Sequence, residues 1–253
     1  MKARITVLAI LILFCTNAAT SARDKITLAS GEWPPYTSKD LPHYGLMSKI
    51  VTEAFALAGI DVDYTFYDSW KRCYVLAKKG KFDGSLTWIP TRERKKYFYF
   101  CAPAIPHENV FFHLKSLKFD WNTMEDLKPF RISLTASYSY GKEFDTAVKQ
   151  ERLNTYIVYQ DIVNIQNLLQ GRIEIFPMDK EVGYALLRKT FPPKDQARVT
   201  HHPNPLQTTF PTVIISKQID PDRAEHLVAA FNNGLKQLKK NGRHQEIISR
   251  YQP

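Results

Sequence analysis

The chain alternates short apolar runs with longer stretches in which apolar residues return every three or four positions. Strands feeding helices produce that pattern, so the fold class it predicts is α/β. Residues 25–30 read as a first short strand. Gly31-Glu32-Trp33-Pro34-Pro35-Tyr36 follows as a loop that two prolines keep extended. Leu46, Ile50, Val51, Ala54, Phe55 and Ala58 share a helical stripe, and Gly59 ends it. Val62, Tyr64 and Phe66 alternate with polar residues as in a half-buried strand. Asp68 or Ser69 caps the next helix, which places Trp70, Cys73, Tyr74 and Ala77 on one face. Gly80 closes that helix, and residues 82–88 form another strand.

Residues 103–112 read as an extended crossover into a second set of elements. Strands are expected at 130–134, 156–159 and 173–176. Between them lie the small polar turn Ser137-Tyr138-Ser139-Tyr140-Gly141, which leads into a helix, and a helix capped by Asp161 that carries Ile162, Ile165, Leu168 and Leu169. A further helix runs through Tyr184 and Leu187. The β-branched run 209–216 crosses back. Asp220-Pro221 then opens a long last helix with Leu227, Val228, Phe231, Leu235 and Leu238 on one stripe, broken at Asn241-Gly242. The expected organisation is a leader (1–22), a first lobe (23–106 with 212–253) and a second lobe (107–211). Two lobes joined by two extended crossings leave a cleft and support hinge closure on a ligand.

The leader has the features of a cleaved secretory signal. Lys2 and Arg4 precede a short apolar run that ends at Phe14, and Thr20-Ser21-Ala22 offers small residues for cleavage. The run is too short to span a bilayer comfortably. Export makes nucleic acid an unexpected partner for the +10 charge, two units of which leave with Lys2 and Arg4. The basic residues are spread along the chain, and the longest clusters are pairs such as Lys78-Lys79. A soluble, basic, exported monomer is the reading this supports. Cys73 and Cys101 remain after cleavage. An oxidising compartment permits a disulfide between them, closing a loop of about 28 residues worth ~3 kcal/mol, and two buried thiols are the alternative.

The richest chemistry lies in residues 81–103, KFDGSLTWIPTRERKKYFYFCAP. A strand that ends at Thr91 and Arg94 presents a hydroxyl, backbone N–H groups and a guanidinium at the carboxyl edge of a sheet, where open α/β sheets bind ligands. A guanidinium there grips a carboxylate through two parallel hydrogen bonds. Capture of a small anion is the expectation. His107, His113, His201 and His202 lack the spacing of a metal site, and no phosphate loop or nucleophile motif is present, so no metal or cofactor is expected.

The order and spacing of several pieces resemble the bacterial extracellular solute-binding proteins of family 3, the periplasmic amino-acid-binding type that feeds ABC importers. The pieces are Gly31-Glu32-Trp33-Pro34-Pro35-Tyr36, the helix opening at Gly45, Trp70 with residues 76–83, and Thr91-Arg92-Glu93-Arg94 followed by Phe100-Cys101-Ala102-Pro103. Further on come Gly171-Arg172-Ile173-Glu174 running to Asp179, Ser216-Lys217, Asn233-Gly234-Leu235 and Asn241-Gly242. The resemblance implies a type II periplasmic-binding fold of two Rossmann-like lobes. It implies that Arg94 holds a ligand carboxylate with Thr91 and backbone N–H groups near Thr87 to Ile89, and that Asp179 holds an α-amino group. Trp33 and Trp70 would form aromatic walls, Trp88 the floor, and Ser137-Tyr138 further N–H donors. The expected function is capture of a small zwitterion or carboxylate, an amino acid or close relative, for delivery to an ABC permease in the inner membrane. The other readings are a dehydratase-like periplasmic enzyme on the same scaffold, or a free sensor that presents its ligand to a receptor.

Overall fold

The computed structural model describes residues 24–136 and 138–251. The expected signal peptide and Ser137 lie outside them. The first half runs β1 (Asp24–Gly31), α1 (Leu46–Ala56), β2 (Ile60–Tyr67), α2 (Trp70–Lys78), β3 (Gly84–Trp88) and β4 (Phe98–Phe100). The middle runs β5 (His107–Leu114), β6 (Ile132–Thr135), α3 (Lys142–Lys149), β7 (Thr155–Val158), α4 (Asp161–Leu169), β8 (Ile175–Asp179), α5 (Lys180–Thr190), α6 (Pro193–Gln196), β9 (Val199–His201) and β10 (Gln207–Thr209). The chain ends with β11 (Thr212–Ser216), α7 (Pro221–Lys240) and α8 (Arg243–Ser249).

These strands make two sheets. The first has the order β2-β1-β3-β11-β4, and the second β10-β5-β8-β6-β7 with β9 also paired to β5. The chain leaves the first sheet between β4 and β5 and returns between β10 and β11. In the first sheet β1 runs parallel to β2 and β3. In the second β6 runs parallel to β7 and β8. Each sheet therefore has one edge where the carboxyl ends of parallel strands gather, as right-handed strand–helix–strand units require.

Apolar residues cover both faces of each sheet. In the first, Ile26 and Leu28 pack with Ile50, Phe55, Leu227 and Phe231 from α1 and α7. On the other face Ala29 and Ile214 pack with Cys73 and Ala77 of α2 and with Trp88 and Phe98. The second sheet has Phe111, Leu134 and Ile175 toward α3, and Phe112, Phe176 and Met178 toward α4 and α5. Helix starts follow capping rules. Ser69 accepts from the Arg72 N–H, so Ser69 rather than Asp68 is the cap of α2. Asp220 accepts from the Arg223 N–H, with Pro221 at the first helical position.

Several expectations change here. The disulfide is not formed: Cys73 and Cys101 are free buried thiols, packed in clusters on opposite faces of the first sheet. Burial pushes the Cys73 thiol up to about 11 and raises that of Cys101 further. Asp161 does not cap α4. Gln160 is the cap residue, and Asp161 is the first helical residue. The strand expected at 82–88 begins at Gly84, because the Asp83 carboxylate is drawn aside by the Thr27 N–H and hydroxyl and by Arg223. Past the break at Asn241-Gly242 the chain turns helical again from Arg243.

Candidate functional site

The site elements sit at the carboxyl edges of the two sheets. On the first lobe, β1 ends at Gly31 and runs into the Trp-Pro-Pro-Tyr loop. The Trp33 N–H donates to Thr37 O at 2.7 Å, and the Thr37 hydroxyl donates to Gly31 O at 2.8 Å. These bonds fold the loop back on the strand end. Trp70, at the start of α2, lies flat against Gly31. A Cβ on Gly31 would come within 2.5 Å of the indole, so only glycine admits this ring.

The end of β3 is irregular. Thr87 adopts φ +63°, a left-handed conformation that a β-branched residue rarely takes. The pairing of β3 with β11 shifts register at this point, as in a bulge. Trp88 turns inward as a result. Its indole N–H donates to the Ser85 hydroxyl at 2.8 Å, and its ring meets Trp70 edge-on at 5.8 Å. The Thr87 hydroxyl is buried without a partner among the described residues.

Arg94 follows on a short 3-10 turn. Its N–H donates to the Thr91 hydroxyl at 3.2 Å. Its guanidinium lies 4.8 Å from the Trp88 ring and donates through Nη1 to Ile89 O at 2.7 Å. A guanidinium has five N–H donors, so this arrangement leaves most of them open. The structure thus brings Arg94, Thr91, Thr87, Trp88 and Trp70 to one edge of the first sheet, with Trp33 on the adjoining loop.

The facing elements belong to the second lobe. Thr135 ends β6, Tyr138 lies in the turn after it, and Asp161 opens α4 after β7. The Asp161 carboxylate accepts from the Thr135 hydroxyl at 2.7 Å and the Tyr138 hydroxyl at 2.9 Å. The Asn164 amide donates in turn to the Thr135 oxygen at 2.8 Å. A cavity of about 1250 Å³ lies between the lobes, lined by Glu32 and Trp33 on one side and by Tyr138, Gln160, Asp161 and Arg188 on the other.

Asp179, to which the resemblance assigns an α-amino group, already has donors from the protein. It is 7 % exposed and caps α5, accepting from the Val182 N–H at 3.1 Å. The Tyr36 hydroxyl donates to the same carboxylate, 2.9 Å from Oδ1 and 3.1 Å from Oδ2. Burial pushes its pKa up to about 6. Tyr36 itself stacks on His107 at 4.0 Å, and both His107 ring nitrogens are buried without partners among the described residues. Both charged oxygens of Asp179 are therefore already engaged by the protein. The remaining histidines are held apart. His201 Nδ1 meets the Tyr184 hydroxyl at 2.7 Å, and His202 Nε2 meets Asp120 at 3.0 Å. Among the described residues no group of three or more His, Cys, Asp or Glu side chains could hold a metal ion.

Sequence reasoning missed Asp161 as a cleft residue. An aspartate before an apolar run is read as a helix cap, and its hydroxyl partners stand 26 and 23 residues away. It also missed Tyr36 as the partner of Asp179, 143 residues away.

No curated protein matches the sequence. Solved structures do resemble the fold. The second substrate-binding domain of GlnP from Lactococcus lactis, in an open conformation, superposes with a TM-score of 0.71 at 18 % identity, over 92 % of this chain and 97 % of that one. The second substrate-binding domain of a putative amino acid ABC transporter from Streptococcus pneumoniae gives 0.69 at 17 %, over 89 % and 99 %. A histidine kinase sensor domain with similarity to periplasmic binding proteins gives 0.63 at 15 %, over 90 % and 96 %. At these identities the likeness is one of fold, the two-lobed type II periplasmic-binding architecture. A family model for bacterial extracellular solute-binding proteins, family 3, matches residues 26–253, and the chain belongs to that family.

Proposed function

We propose that this solute-binding protein captures a small carboxylate-bearing molecule, an amino acid or close relative, between a first lobe (23–106 with 212–253) and a second lobe (107–211). Family and fold are those of binding proteins. The observation that carries the ligand class is Arg94. It follows the carboxyl end of β3 and lies against the Trp88 ring, and its guanidinium makes one hydrogen bond, to a carbonyl, with no carboxylate on it among the described residues. A partly exposed guanidinium with open donors beside the Thr91 hydroxyl is a grip for a planar anion. Trp33, Trp70 and Trp88 supply apolar surface around it, and a concave site with a few convergent polar groups is the usual form of a small-molecule pocket. Export to the periplasm by a cleaved signal, action as a monomer and delivery to an ABC permease complete the reading.

The test is thermal unfolding of the mature protein with amino acids, dicarboxylates, polyamines and short peptides. A ligand at 100 times its Kd stabilises by about 2.7 kcal/mol, which shifts the melting point visibly. Arg94→Ala is expected to abolish the shift given by a carboxylate ligand while the free protein melts as before. A shift of full size in Arg94→Ala contradicts the assignment.

A further inference from the structure

We propose that the lysine-rich outer face of α2, with the turns packed around it, is a docking surface for an anionic phospholipid bilayer. None of its lysines lines the cavity between the lobes, and its role goes beyond ligand capture. Residues 107–211 hold thirteen lysines and arginines against twelve acids, so the net charge of residues 23–253 comes almost wholly from the rest of the chain. Residues 71–96 alone hold nine lysines and arginines against two acids, Asp83 and Glu93.

The fold gathers cations that the sequence scatters. Cys73 and Ala77 face the sheet, which turns Lys71, Arg72 and Lys79 outward, and all three are exposed. Lys81 is exposed on the turn that follows, as are Lys95 and Lys96 on the 3-10 turn before β4. Lys78 joins the two segments, its Nζ 3.4 Å from the centre of the Tyr97 ring. Tyr97 O accepts from the Lys217 N–H at 2.9 Å, and Lys217 Nζ donates to Lys95 O at 2.8 Å. A Cβ on Gly80 would lie 3.0 Å from that of Gln218, which sets Lys79 and Lys81 beside Lys217. Among the described residues no carboxylate neutralises the group. Asp83 is held by Arg223 and Thr27, and the exposed acids Asp68 and Glu93 pair with none of these cations.

The chemistry of the patch selects its partner. Lysine dominates it, and an ammonium is a compact, strongly hydrated charge. Protein–protein interfaces are depleted of lysine and enriched in arginine, so an acidic protein face is the poorer match. A layer of lipid phosphates attracts lysines through water, within a Debye length of about 8 Å at physiological salt. Aromatic rings with one polar end settle at headgroup level. Tyr99 supplies such a ring, 42 % exposed, with Lys217 Nζ 4.9 Å from its centre.

The experiment is sedimentation of the mature protein with vesicles of phosphatidylcholine, and with vesicles of phosphatidylcholine and phosphatidylglycerol in equal parts. The wild type is expected to sediment with the mixed vesicles alone. It is expected to come off as salt rises toward about 1 M, where the Debye length falls to about 3 Å. A variant combining Lys79→Gln, Lys81→Gln, Lys95→Gln and Lys96→Gln is expected to lose on the order of 100-fold in partition coefficient. A control removes the same charge elsewhere, through Lys118→Gln, Lys142→Gln, Lys149→Gln and Lys194→Gln, four exposed lysines of the second sheet's half of the chain. It is expected to keep most of the binding. Equal losses in the two variants overturn the proposal, because net charge alone then explains the attraction. A wild type that stays in solution with the mixed vesicles also overturns it. Capture on poly-glutamate without sedimentation on the vesicles overturns it in favour of an acidic polypeptide. Melting curves of both variants separate a lost surface from a lost fold.

Discussion

At the scale of single residues, Asp179 is a buried acid whose titration makes a prediction about stability. Burial is the main reason its pKa rises to about 6, and the charge of Glu181 adds to it; the Val182 N–H and the Tyr36 hydroxyl act in the opposite sense. The ordinary value for the group is 3.8. Between roughly pH 4 and 6 the folded protein therefore holds a proton that the unfolded chain has released. Asp179 costs nothing below that window, and its cost grows as pH rises through it. His107 acts in the opposite direction. Burial lowers its pKa from 6.5 to about 3, so the unfolded chain gains a proton below about pH 6.5 that the fold does not accept. Glu108 and Lys180, paired with each other at 3.0 Å, complete the charges around this point. The Asp179→Asn variant removes only the first titration. The stability of the wild type relative to that variant is expected to improve by on the order of 2–3 kcal/mol from pH 7 to pH 4. Urea unfolding at both pH values measures it. A flat difference, or one that falls, would show that Asp179 is not the buried acid described here.

At the scale of elements, helix packing makes a prediction opposite in sign to helix propensity. Gly234 lies in α7 where that helix crosses α1. A Cβ at Gly234 would sit 2.0 Å from the carbonyl oxygen of Ala54. In an exposed helix, glycine to alanine gains about 1 kcal/mol. Here the obstacle is backbone, which cannot swing aside. Gly234→Ala is expected to destabilise by roughly 1–3 kcal/mol, as overpacking in a core does. A melting point equal to or above that of the wild type would contradict the close approach. The same helix shows what could be seen in the sequence. Its apolar stripe and the Asp220-Pro221 start are local signals, and both elements are where the pattern puts them. Gly234 carries no such signal, because a glycine inside a helix reads only as a weak point. The strands β4, β9 and β10 have three residues each, too few for a period to register. The bulge at Thr87 depends on the antiparallel partner β11, 125 positions further along, and the contact of Tyr36 with Asp179 on a chain reversal across both lobes. In residues 81–103 the strand, the turn and Arg94 were legible because they are neighbours there. The opposite wall was not, because Asp161 is defined by hydroxyls from other elements.

At the scale of the molecule, the two sheets set the direction in which ligand chemistry can act. Each lobe gathers its polar groups at the carboxyl edge of parallel strands, Arg94 and Thr91 on one and Asp161 and Tyr138 on the other. Among the described residues no disulfide braces the first lobe. Cys73 and Cys101 stay buried on opposite faces of its sheet, so packing, the strand ladder and the bonds of Arg223 to Asp24 and Asp83 keep that lobe a unit. Two rigid lobes and two connections between them confine large motion to the crossings at β4–β5 and β10–β11. A ligand held by both lobes gains its contacts to each only when the lobes approach, so it favours the closed arrangement by its affinity difference between the two states. Small-angle X-ray scattering is expected to show a smaller radius of gyration when the mature protein is saturated with the amino acid that binds it. A radius of gyration unchanged at saturation would contradict hinge closure on the ligand.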